Sequence, residues 1–543
     1  MDCHVVVLLL LAMTKAKETR TMKKFYITTA IDYVNAAPHI GHAYEKIATD
    51  VLARHFKQRG IPVFFLTGTD EHGIKIEKTA KEKNLTPQEF CDETAQKFKD
   101  CWQLLGVDYD RFIRTTEDDH KKVVQHIFKT LVKKDDIYKA AYTGLYCAGC
   151  ECFLNERDLT EEGLCPDHKT KPQEVQEENY FFKLSKYKEK IEEYIKAHVM
   201  PDYRVNELLN QLKDVEDISV SRSKESVSWG IPVPDDDTQV IYVWIDALSN
   251  YLTGVGYLTN DQLFKKFWSA NVHMIGKDIL KFHAIYWIGI LLAMKIELPE
   301  TIFAHGWITV DQTKMSKTIG NVIAPKAVLD AYNLEKSDAF RYFMMATTPF
   351  GRDGNYSDED FKSIVNADLA NNLGNLLNRT LSMLLKYFDG KIKPEHLTAL
   401  HDNELAAYTY ACKELVVKDC FPNYKISDAA DHIIILVDRA NKYLNELKPW
   451  SLAKEGKEDE CGRVLYTVLE TLRHVSFLIY PFIPNIAQDM WEQLSQEGNV
   501  SDIKLDDLNW GGLKAETQIN SDRVRPVFLR IDSELAGEDK KKK

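Results

Sequence analysis

The order of apolar and polar residues predicts an α/β unit followed by a helical one. A β-branched and aromatic run over 25–31 predicts a buried strand, and apolar residues spaced three or four apart from Tyr44 to Phe56 predict an amphipathic helix that Gly60 ends. The apolar run over 61–67 predicts the next strand. Strand, helix and strand, with polar residues where the strands end, predict a doubly wound parallel sheet with a ligand site at that edge.

The strand–helix pattern is interrupted once and later resumes. A turn-rich stretch with several cysteines breaks it, and it returns at 240–244 before continuing through 272–278 and 302–307. Beyond about Asp360, long amphipathic helices run to about Leu494. We predict an extension over 1–22, the two halves of the α/β domain over 23–128 and 229–324, an insertion over 129–228, a connection over 325–359, a helical domain over 360–530 and a charged tail over 531–543.

Composition narrows the class of protein. The chain has 543 residues, which is too long for a single core, and 44% hydrophobic with 28% charged residues is typical of globular proteins. A net charge of −12 argues against coating of nucleic acid by the whole surface but permits a local basic strip. The ten cysteines include three that form a metal-like cluster with a histidine, which favours a reducing compartment over a disulfide framework.

The apolar run near the N-terminus predicts neither a membrane span nor a secretory signal. The run from Val5 to Ala12 is too short to cross a bilayer, and its basic residues follow it instead of preceding it. We therefore expect residues 1–22 to be an unstructured extension, with Met22 as an alternative start. We also expect a cytoplasmic protein without membrane attachment, an organelle being the alternative.

Two histidines and a glycine lie where the first strand gives way to the helix. These are His39, Gly41 and His42. A helix N-terminus presents unbonded N–H groups and the positive end of the helix dipole, which suits phosphate. Gly41 lacks the Cβ that would keep a nucleotide away from the backbone. The dinucleotide fingerprint G-x-G-x-x-G is absent, and this stretch alone does not separate a nucleotide site from a structural pair of histidines.

Three cysteines and a histidine have the spacing of a zinc site. Cys147-x-x-Cys150 and Cys165-x-x-His168 form two pairs, with 14 residues between them. Two short turns of this kind place four ligands tetrahedrally around Zn²⁺ and leave no position for a substrate. We therefore predict one structural zinc ion per chain. Cys152 is a competing thiol, but it lies outside the paired spacing.

A second motif identifies the family that the chain resembles. Residues 314–318, Lys-Met-Ser-Lys-Thr, resemble the KMSKS loop that accompanies the HIGH motif of class I aminoacyl-tRNA synthetases, and residues 39–42, His-Ile-Gly-His, match that motif. Thr318 replaces the final serine and keeps its hydroxyl. From about Lys24 to the end of the helical part, the chain is similar to the methionyl-tRNA synthetases. The resemblance implies a Rossmann-like catalytic domain that activates L-methionine with ATP and Mg²⁺, and transfer of methionine to tRNA(Met).

The resemblance also implies which residues handle ATP. Activation joins a carboxylate to the α-phosphate and expels pyrophosphate, which requires positioning and stabilisation of charge on phosphate oxygens. Histidine N–H groups and lysine ammonium groups suit this task. The implied catalytic residues are His39, His42, Lys314 and Lys317. The implied ATP-binding residues are His39, Gly41, His42, Glu45, Gly276, Asp278, Lys314 and Lys317.

A methionine pocket is implied by residues that follow several strands. Asp70 ends a strand, and its carboxylate suits an α-ammonium group. Aromatic walls and a small floor suit a polarizable thioether, and Tyr33 and His283 could donate hydrogen bonds near the sulfur. Leu248 departs from members that have proline there, which could change the rim of the pocket. The implied pocket residues are Ala30, Ile31, Tyr33, Asp70, Trp244, Ala247, Tyr251, Ile279 and His283.

The helical domain carries an implied site for the anticodon. Asn371, Asn375 and Arg379 are spaced four apart, on one face of a helix, and Trp450 follows a proline at a helix start. Amides and guanidinium can bond the edges of unpaired bases, and an indole can stack on one. The resemblance implies that these residues read the CAU anticodon, and that the short zinc insertion orders the approach of the tRNA acceptor end. The appended tRNA-binding domain of many bacterial relatives is not recognisable after 527–531, so we expect a monomer.

Two alternatives remain at this point. A cysteinyl-tRNA synthetase would need zinc ligands within the amino-acid pocket, whereas the predicted ligands lie in the insertion. An inactive paralogue that only binds RNA or assembles with other proteins would have lost HIGH or KMSKS residues, and both histidines and both lysines are present.

Overall fold

The structure, a computed structural model, describes residues 22–147, 152–154, 159–166, 169–316, 319–397 and 404–531. Its strands are β1 Phe25–Thr29, β2 Asp32–Tyr33, β3 Val63–Asp70, β4 Arg111–Arg114, β5 Ile137–Cys147, β6 Cys152–Leu154, β7 Gln173–Phe182, β8 Val199–Met200, β9 Ile218–Ser219, β10 Ser221–Ser223, β11 Ile231–Val233, β12 Asp236–Ile241, β13 Val272–Gly276, β14 Ile302–His305, β15 Ile308–Val310, β16 Thr313–Lys314 and β17 Gly354–Tyr356.

Helices surround these strands and form the C-terminal part. They are α1 Ile40–Gln58, α2 Ile74–Glu82, α3 Pro87–Leu104, α4 Asp118–Lys133, α5 Lys188–His198, α6 Val205–Lys213, α7 Val243–Asp246, α8 Asn250–Thr253, α9 Asp261–Phe267, α10 Ile288–Met294, α11 Pro325–Ala331, α12 Asp338–Ala346, α13 Asp358–Val365, α14 Asn375–Phe388, α15 Glu404–Leu415, α16 Ile426–Leu447, α17 Pro449–Lys454, α18 Glu458–Ile479 and α19 Pro484–Gln493. Three further segments are π-helical: Phe282–Trp287, Asn366–Gly374 and Val416–Cys420.

A parallel sheet forms the centre of the α/β part, as predicted. Strands β3, β1, β13, β14 and β8 pair in that order, and β2 and β4 both pair with β3. The crossover from β1 through α1 leads to β3 on one side of β1, whereas β13 lies on its other side. The boundary between β1 and β13 is therefore the switch point, outside which open α/β sheets bind their ligands.

The insertion is built on a long antiparallel pair, β5 and β7, flanked by β6 and β9. It also contributes to the central sheet, because β8 pairs with β14 through Val199 and Ile302. The pattern over 240–244 belongs elsewhere: β12 ends at Ile241 in a separate antiparallel sheet with β10 and β11, and α7 follows at Val243. A short continuous apolar run does not distinguish a strand from a buried helix, which explains the difference.

Two apolar cores lie on the two faces of the parallel sheet. Tyr26 packs into one core, whereas its neighbours Phe25 and Ile27 pack into the other, as strand alternation requires. The second core continues into the helical domain, so the two parts share apolar packing. The buried Arg341 adds a polar link, since its guanidinium bonds Asp50 of α1 at 2.6 Å and the Pro481 carbonyl at 2.8 Å.

Several predicted domain boundaries can be compared with the helices and strands of the structure. The predicted connection over 325–359 contains α11, α12 and β17, and the domain boundaries themselves stay predictions. The predicted helical run to about Leu494 agrees with α19, whose C-terminal cap is Leu494. Across the described ranges, no helix combines the length and the apolar character needed to cross a bilayer.

Candidate active site

The HIGH motif forms the N-terminus of α1, as the sequence predicted. His39 is the N-cap: its Nδ1 accepts a hydrogen bond from the Gly41 N–H at 3.1 Å, and its own N–H donates to His42 Nδ1 at 3.2 Å. Because both Nδ1 atoms accept, the ring proton of each neutral imidazole lies on Nε2. Burial, with the nearby His39 and Lys46, holds the pKa of His42 well below its usual range. Each ring thus has an Nε2–H that can donate to an anion.

The lysine-containing motif meets the HIGH motif in space. The Ile40 N–H donates to the Ile323 carbonyl at 2.9 Å, which joins the start of α1 to the segment after the motif. A methyl group built on Gly41 would lie 2.9 Å from His39 Cε1 and 3.3 Å from Met315 Cε, so this position has no room for a side chain. The start of α1 and the segment around Met315 therefore lie side by side.

Two hydrogen bonds link Asn321 to the segment around Lys314. The Asn321 side chain accepts from the Ser316 N–H at 2.8 Å and donates to the Lys314 carbonyl at 3.2 Å. Lys314 itself is exposed at the end of β16. Lys317 and Thr318, the other predicted residues of the motif, lie outside the described residues.

Three predicted ATP contacts lie near the carboxyl ends of β13 and β14. Gly276 ends β13, and a methyl group built on it would lie 2.6 Å from Asp278 Oδ1 and 3.9 Å from the His305 ring. Asp278 is exposed, whereas Glu45 is buried. Both Glu45 oxygens have partners, Lys46 Nζ at 2.9 Å and His305 Nε2 at 2.9 Å, and each oxygen can accept one further hydrogen bond.

The buried Lys46 connects the nucleotide end of the site to β1 and β2. Its ammonium group also donates to Asp32 Oδ1 at 2.7 Å and to the Ala30 carbonyl at 3.2 Å. Burial disfavours the charged form of Lys46, but the charges of Asp32 and Glu45 outweigh burial and raise its pKa. Lys46 and His305 were not predicted from the sequence. The one local sign of Lys46 was a Glu-Lys pair on the buried face of an amphipathic helix.

The predicted methionine residues follow the ends of several strands of the central sheet or lie in the α7 region. Tyr33 on β2 and Asp70 on β3 are directly paired across the strands, and Asp70 is 8% exposed at the end of its strand. Ala30 is buried directly after β1, and Ile31 is half-buried. This places a carboxylate beside a tyrosine at the predicted edge of the sheet.

Aromatic rings form the other wall of the predicted pocket. Trp244 of α7 stacks on Phe282, with ring centres 3.8 Å apart and planes 18° apart. Ala247 begins the helical turn that follows α7 and is half-buried. Tyr251 is buried, and its ring stacks on His273 at 4.1 Å. Leu248 is buried in the apolar core, which accounts for its apolar side chain without reference to the pocket rim.

His283 differs from the expectation that it donates to the sulfur. Its Nδ1 lies 2.9 Å from the Ile279 carbonyl, which can only accept, so the proton is on Nδ1. Its Nε2 lies 2.6 Å from the Tyr251 hydroxyl and accepts from it. Burial lowers the pKa of His283 to about 4, which keeps the ring neutral. In this geometry both ring nitrogens are engaged and His283 has no donor left.

We expect acid to weaken the folded state through His283. Its pKa of about 4 lies below the ordinary value of 6.5, so between these pH values the unfolded chain binds more protons and stability falls as the pH is lowered. From pH 7 to pH 5 this group alone should cost about 2 kcal/mol. Urea unfolding at the two pH values should show that His283→Gln loses about that much less stability than the wild type. Equal losses in the two proteins would contradict the neutral assignment.

The two residues after Asp70 form hydrogen bonds that hold the end of β3 in place. The Glu71 carboxylate accepts from Arg114 Nε at 2.7 Å and Nη2 at 2.9 Å. His72 Nδ1 bonds Asp246 at 2.7 Å, and His120 bonds the second Asp246 oxygen at 2.9 Å. Burial disfavours the Asp246 charge, but the two histidines outweigh it and lower the pKa of Asp246 to about 2.

Since Asp246 lies two residues after Trp244, this cluster ties the Asp70 strand end to the aromatic wall. The sequence analysis did not identify it, because its members lie far apart along the chain. An aspartate within an apolar helical run was the one local signal.

The predicted zinc ligands are described in part. Cys147 ends β5 and is buried, and Cys165 is buried in a turn in which the Lys169 N–H donates to the Cys165 carbonyl at 2.8 Å. Cys150 and His168 lie outside the described residues. Within the described ranges, no three His, Cys, Asp or Glu side chains are arranged to hold a metal ion. The two described thiols, both buried, are half of the expected donor set.

The predicted anticodon residues lie on helical segments of the C-terminal part. Asn371 lies in the π-helical segment before α14, and Asn371 and Asn375 are exposed. Arg379 of α14 donates from Nη2 to Asn441 of α16 at 3.0 Å. Trp450 is the second residue of α17 and is half-buried. The predicted face is therefore accessible, although its first part is π-helical instead of α-helical.

Comparison with known proteins agrees with this architecture. A family model described as "tRNA synthetases class I (M)" matches residues 25–174 and 167–381, and a model described as "Anticodon-binding domain of tRNA ligase" matches 415–521. The methionine–tRNA ligase of Clostridium acetobutylicum is 44% identical over 527 residues, which cover 94% of this chain and 78% of the relative. That of Thermotoga maritima is 41% identical over 518 residues, covering 94% and 81%.

Solved structures agree as well. Mycobacterium tuberculosis methionyl-tRNA synthetase in complex with methionyl-adenylate superposes with a TM-score of 0.84 at 36% identity, covering 92% of this chain and 98% of that one. A second structure of that enzyme bound to methionyl-adenylate gives a TM-score of 0.86. The family matches, the high identity over nearly the whole length and the meeting of the two motifs at the sheet edge agree, and the chain belongs to the methionyl-tRNA synthetases, the class I methionine–tRNA ligases.

Proposed function

We propose roles for the residues of this chain in the two steps of its reaction, which are activation of L-methionine by ATP and transfer of methionine to tRNA(Met). The observation that carries the proposal is the meeting of the HIGH motif and the Lys314 loop beside β1 and β13, with the Ile40–Ile323 hydrogen bond joining them. The carboxyl ends of the same sheet also present Asp70, so amino acid and nucleotide can bind side by side.

In the activation step, the methionine carboxylate attacks the α-phosphorus of ATP and pyrophosphate leaves. His39 and His42 donate from Nε2 to phosphate oxygens, because their Nδ1 atoms are occupied by backbone N–H groups. Lys314 and Lys317 stabilise charge on the departing pyrophosphate. Gly41, Glu45, Gly276 and Asp278 shape the nucleotide site, and Mg²⁺ arrives with ATP.

Methionine is held between Asp70 and the aromatic wall. The Asp70 carboxylate accepts from the α-ammonium group, and Tyr33, its neighbour across β2 and β3, lies beside it. The thioether packs against Trp244 and Tyr251, which suit a polarizable sulfur. Ala30, Ile31, Ala247, Ile279 and His283 complete the pocket.

The insertion binds one structural zinc ion through Cys147, Cys150, Cys165 and His168. Three thiolates and an imidazole are a common donor set for structural zinc, and the burial of Cys147 and Cys165 supports it. The ion would hold the two turns of the insertion together and so order the surface that receives the tRNA acceptor end. It would take no part in the activation step.

Purified protein should contain one zinc ion per chain by elemental analysis. We expect Cys165→Ala to lose the metal, whereas Cys101→Ala, which removes a buried thiol of the α/β core, should retain it. Chelation should impair tRNA charging more than adenylate formation, because the insertion faces tRNA in this proposal. Metal-free protein, or equal zinc contents in both variants, would contradict the site.

The helical domain reads the CAU anticodon through Asn371, Asn375, Arg379 and Trp450. The Asn441 side chain bonds Arg379 and also donates to Asn372 at 2.6 Å, so it holds the guanidinium in place. Trp450 belongs to neither apolar core, which leaves its ring for stacking on a base.

Trp450→Ala should weaken tRNA charging while ATP–pyrophosphate exchange stays nearly unchanged. Loss of one stacked base costs about 1–3 kcal/mol, which corresponds to one to two decades in kcat/KM for tRNA. Trp491→Ala is the control, because Trp491 is buried in the core and its loss should affect both assays. A Trp450→Ala variant with equal losses in both assays would show that Trp450 has a packing role.

The experiment that tests the proposed function is charging of transcribed tRNA with labelled methionine. We expect charging of a tRNA with the CAU anticodon and a large loss when one anticodon base is changed. Equal charging of both tRNAs would contradict anticodon reading. We also propose that the chain is a monomer, which size-exclusion chromatography with light scattering would test. Its proposed cytoplasmic location would be tested by fractionation of the host cells.

A further inference from the structure

One tryptophan beside the nucleotide site is not among the residues assigned to the two reaction steps. Trp307 lies between β14 and β15, is half-buried and belongs to neither apolar core. The ammonium nitrogen of Lys314 lies 3.7 Å from the centre of its ring, and that of Lys277 lies 4.0 Å from it. Two lysines from different segments therefore share one aromatic ring.

The orientation of this ring is fixed by polar contacts. The indole Nε1–H donates to Asp278 Oδ1 at 3.3 Å, and the Trp307 backbone N–H donates to Asp353 Oδ1 at 2.9 Å. The same Asp353 carboxylate bonds Lys277 at 2.6 and 2.7 Å. The Asp353 carboxylate thus offsets the charge of Lys277, which reduces the repulsion between the two ammonium groups at the ring.

The contact with Lys314 is the one that bears on the reaction. Lys314 is exposed at the end of a two-residue strand, and a lysine there would otherwise sample many rotamers. An ammonium group over an indole is attracted by the negative face of the ring. The same indole bonds Asp278, so one side chain connects the proposed pyrophosphate lysine with a proposed nucleotide-site carboxylate.

We propose that Trp307 is a positioning residue for the activation step, holding Lys314 at the rim of the nucleotide site and orienting Asp278. This inference rests on the proposed roles of Lys314 and Asp278. It assigns Trp307 no contact with substrate. Because Trp307 packs in neither core, loss of its ring should alter the placement of these two side chains without unfolding the protein.

Two substitutions separate the two contacts of Trp307. Trp307→Leu removes both the aromatic face and the N–H donor, whereas Trp307→Phe keeps a face and removes only the donor. We expect Trp307→Leu to lower the rate of adenylate formation about 2- to 5-fold, the effect of one partly exposed cation–π contact, with the methionine KM unchanged. Trp307→Phe should lose less rate and mainly raise the ATP KM.

A double-mutant cycle with Lys314→Met tests the coupling. In the Lys314→Met background, Trp307→Leu should have little further effect on the rate of adenylate formation measured by stopped flow, because the contact is already absent. Lys326→Met, which removes an exposed lysine paired with Asp330, serves as the control, and the Trp307→Leu effect should persist in full in that background.

Each outcome bears on a different claim. A Trp307→Leu effect that persists in full beside Lys314→Met would overturn the inference, and so would a faster rate or a raised methionine KM in Trp307→Leu alone. If Lys314→Met itself leaves activation unchanged, the proposed role of Lys314 fails, and the inference fails with it. Thermal unfolding of Trp307→Leu at the wild-type temperature would confirm that the rates report positioning instead of damage to the fold.

Discussion

Asp70→Ala is expected to remove methionine activation almost completely. Its carboxylate is 8% exposed at the end of β3 and is the proposed partner of the α-ammonium group. Loss of one partner from a buried charge pair costs about 2–5 kcal/mol, which corresponds to about 30- to 4000-fold weaker methionine binding. Calorimetric titration with methionine should show this loss, while ATP binding changes little.

Two further variants sharpen the test of Asp70. Asp70→Asn keeps the shape and removes the charge, so it should be nearly as impaired as Asp70→Ala. Asp278→Asn removes the other carboxylate that could hold the amine, an exposed one, and should affect ATP more than methionine. Undiminished methionine binding by Asp70→Asn, combined with loss in Asp278→Asn, would transfer the ammonium contact to Asp278.

Lys317→Ala is expected to lower kcat for methionine activation about 10²- to 10³-fold. The second lysine of the motif would act on the negative charge that develops on pyrophosphate, and removing one preorganised contact of this kind typically has an effect of that size. An interaction made chiefly in the transition state changes kcat and leaves KM within a few-fold. Stopped-flow measurement of adenylate formation gives the rate directly.

The charge of Lys317 can be separated from its size. Lys317→Gln should be nearly as slow as Lys317→Ala, because the charge supplies the effect. Transfer of methionine from preformed adenylate to tRNA should be affected much less, because pyrophosphate has already left. Adenylate formation at the wild-type rate in either variant would reduce Lys317 to an ordinary surface lysine.

Local sequence signals predicted the elements that carry the site. The strand predicted over 25–31, which is β1 at Phe25–Thr29, the helix start at His39 and the Gly60 stop follow from side-chain alternation, capping chemistry and positive φ. The start of α3 is a local feature of the same kind, with Thr86 in a full capping box and Pro87 as the first helical residue. Each of these features depends only on residues close together along the chain, so it can be predicted from one sequence.

Contacts between distant residues could not be predicted in this way. The bonds of Asp246 to His72 and His120, and of Glu45 to His305, join residues separated by more than a hundred positions. Nothing in the local pattern marks such partners, because periodicity reports which face is buried and not what lies against it. For the same reason, only the family resemblance predicted that Tyr251 and His283 lie in the same pocket.

The π-helical segments could not be predicted from the residue pattern either. Asn371 lies in a π-helical segment, and so does His283. Single π-helical turns often occur at functional sites, yet they have no residue pattern comparable to a cap or a turn. At Trp244, a β-branched and aromatic run resembled a strand and is a helix, since tertiary packing overrides propensity in short apolar segments.

ATP–pyrophosphate exchange with each of the twenty amino acids measures whether this chain activates methionine. We expect exchange that depends on methionine, is lost in Asp70→Asn and persists in Trp450→Ala, because the amino-acid pocket and the anticodon site are separate. Exchange supported by cysteine instead of methionine, or no exchange with any amino acid by a folded, zinc-loaded protein, would contradict this expectation.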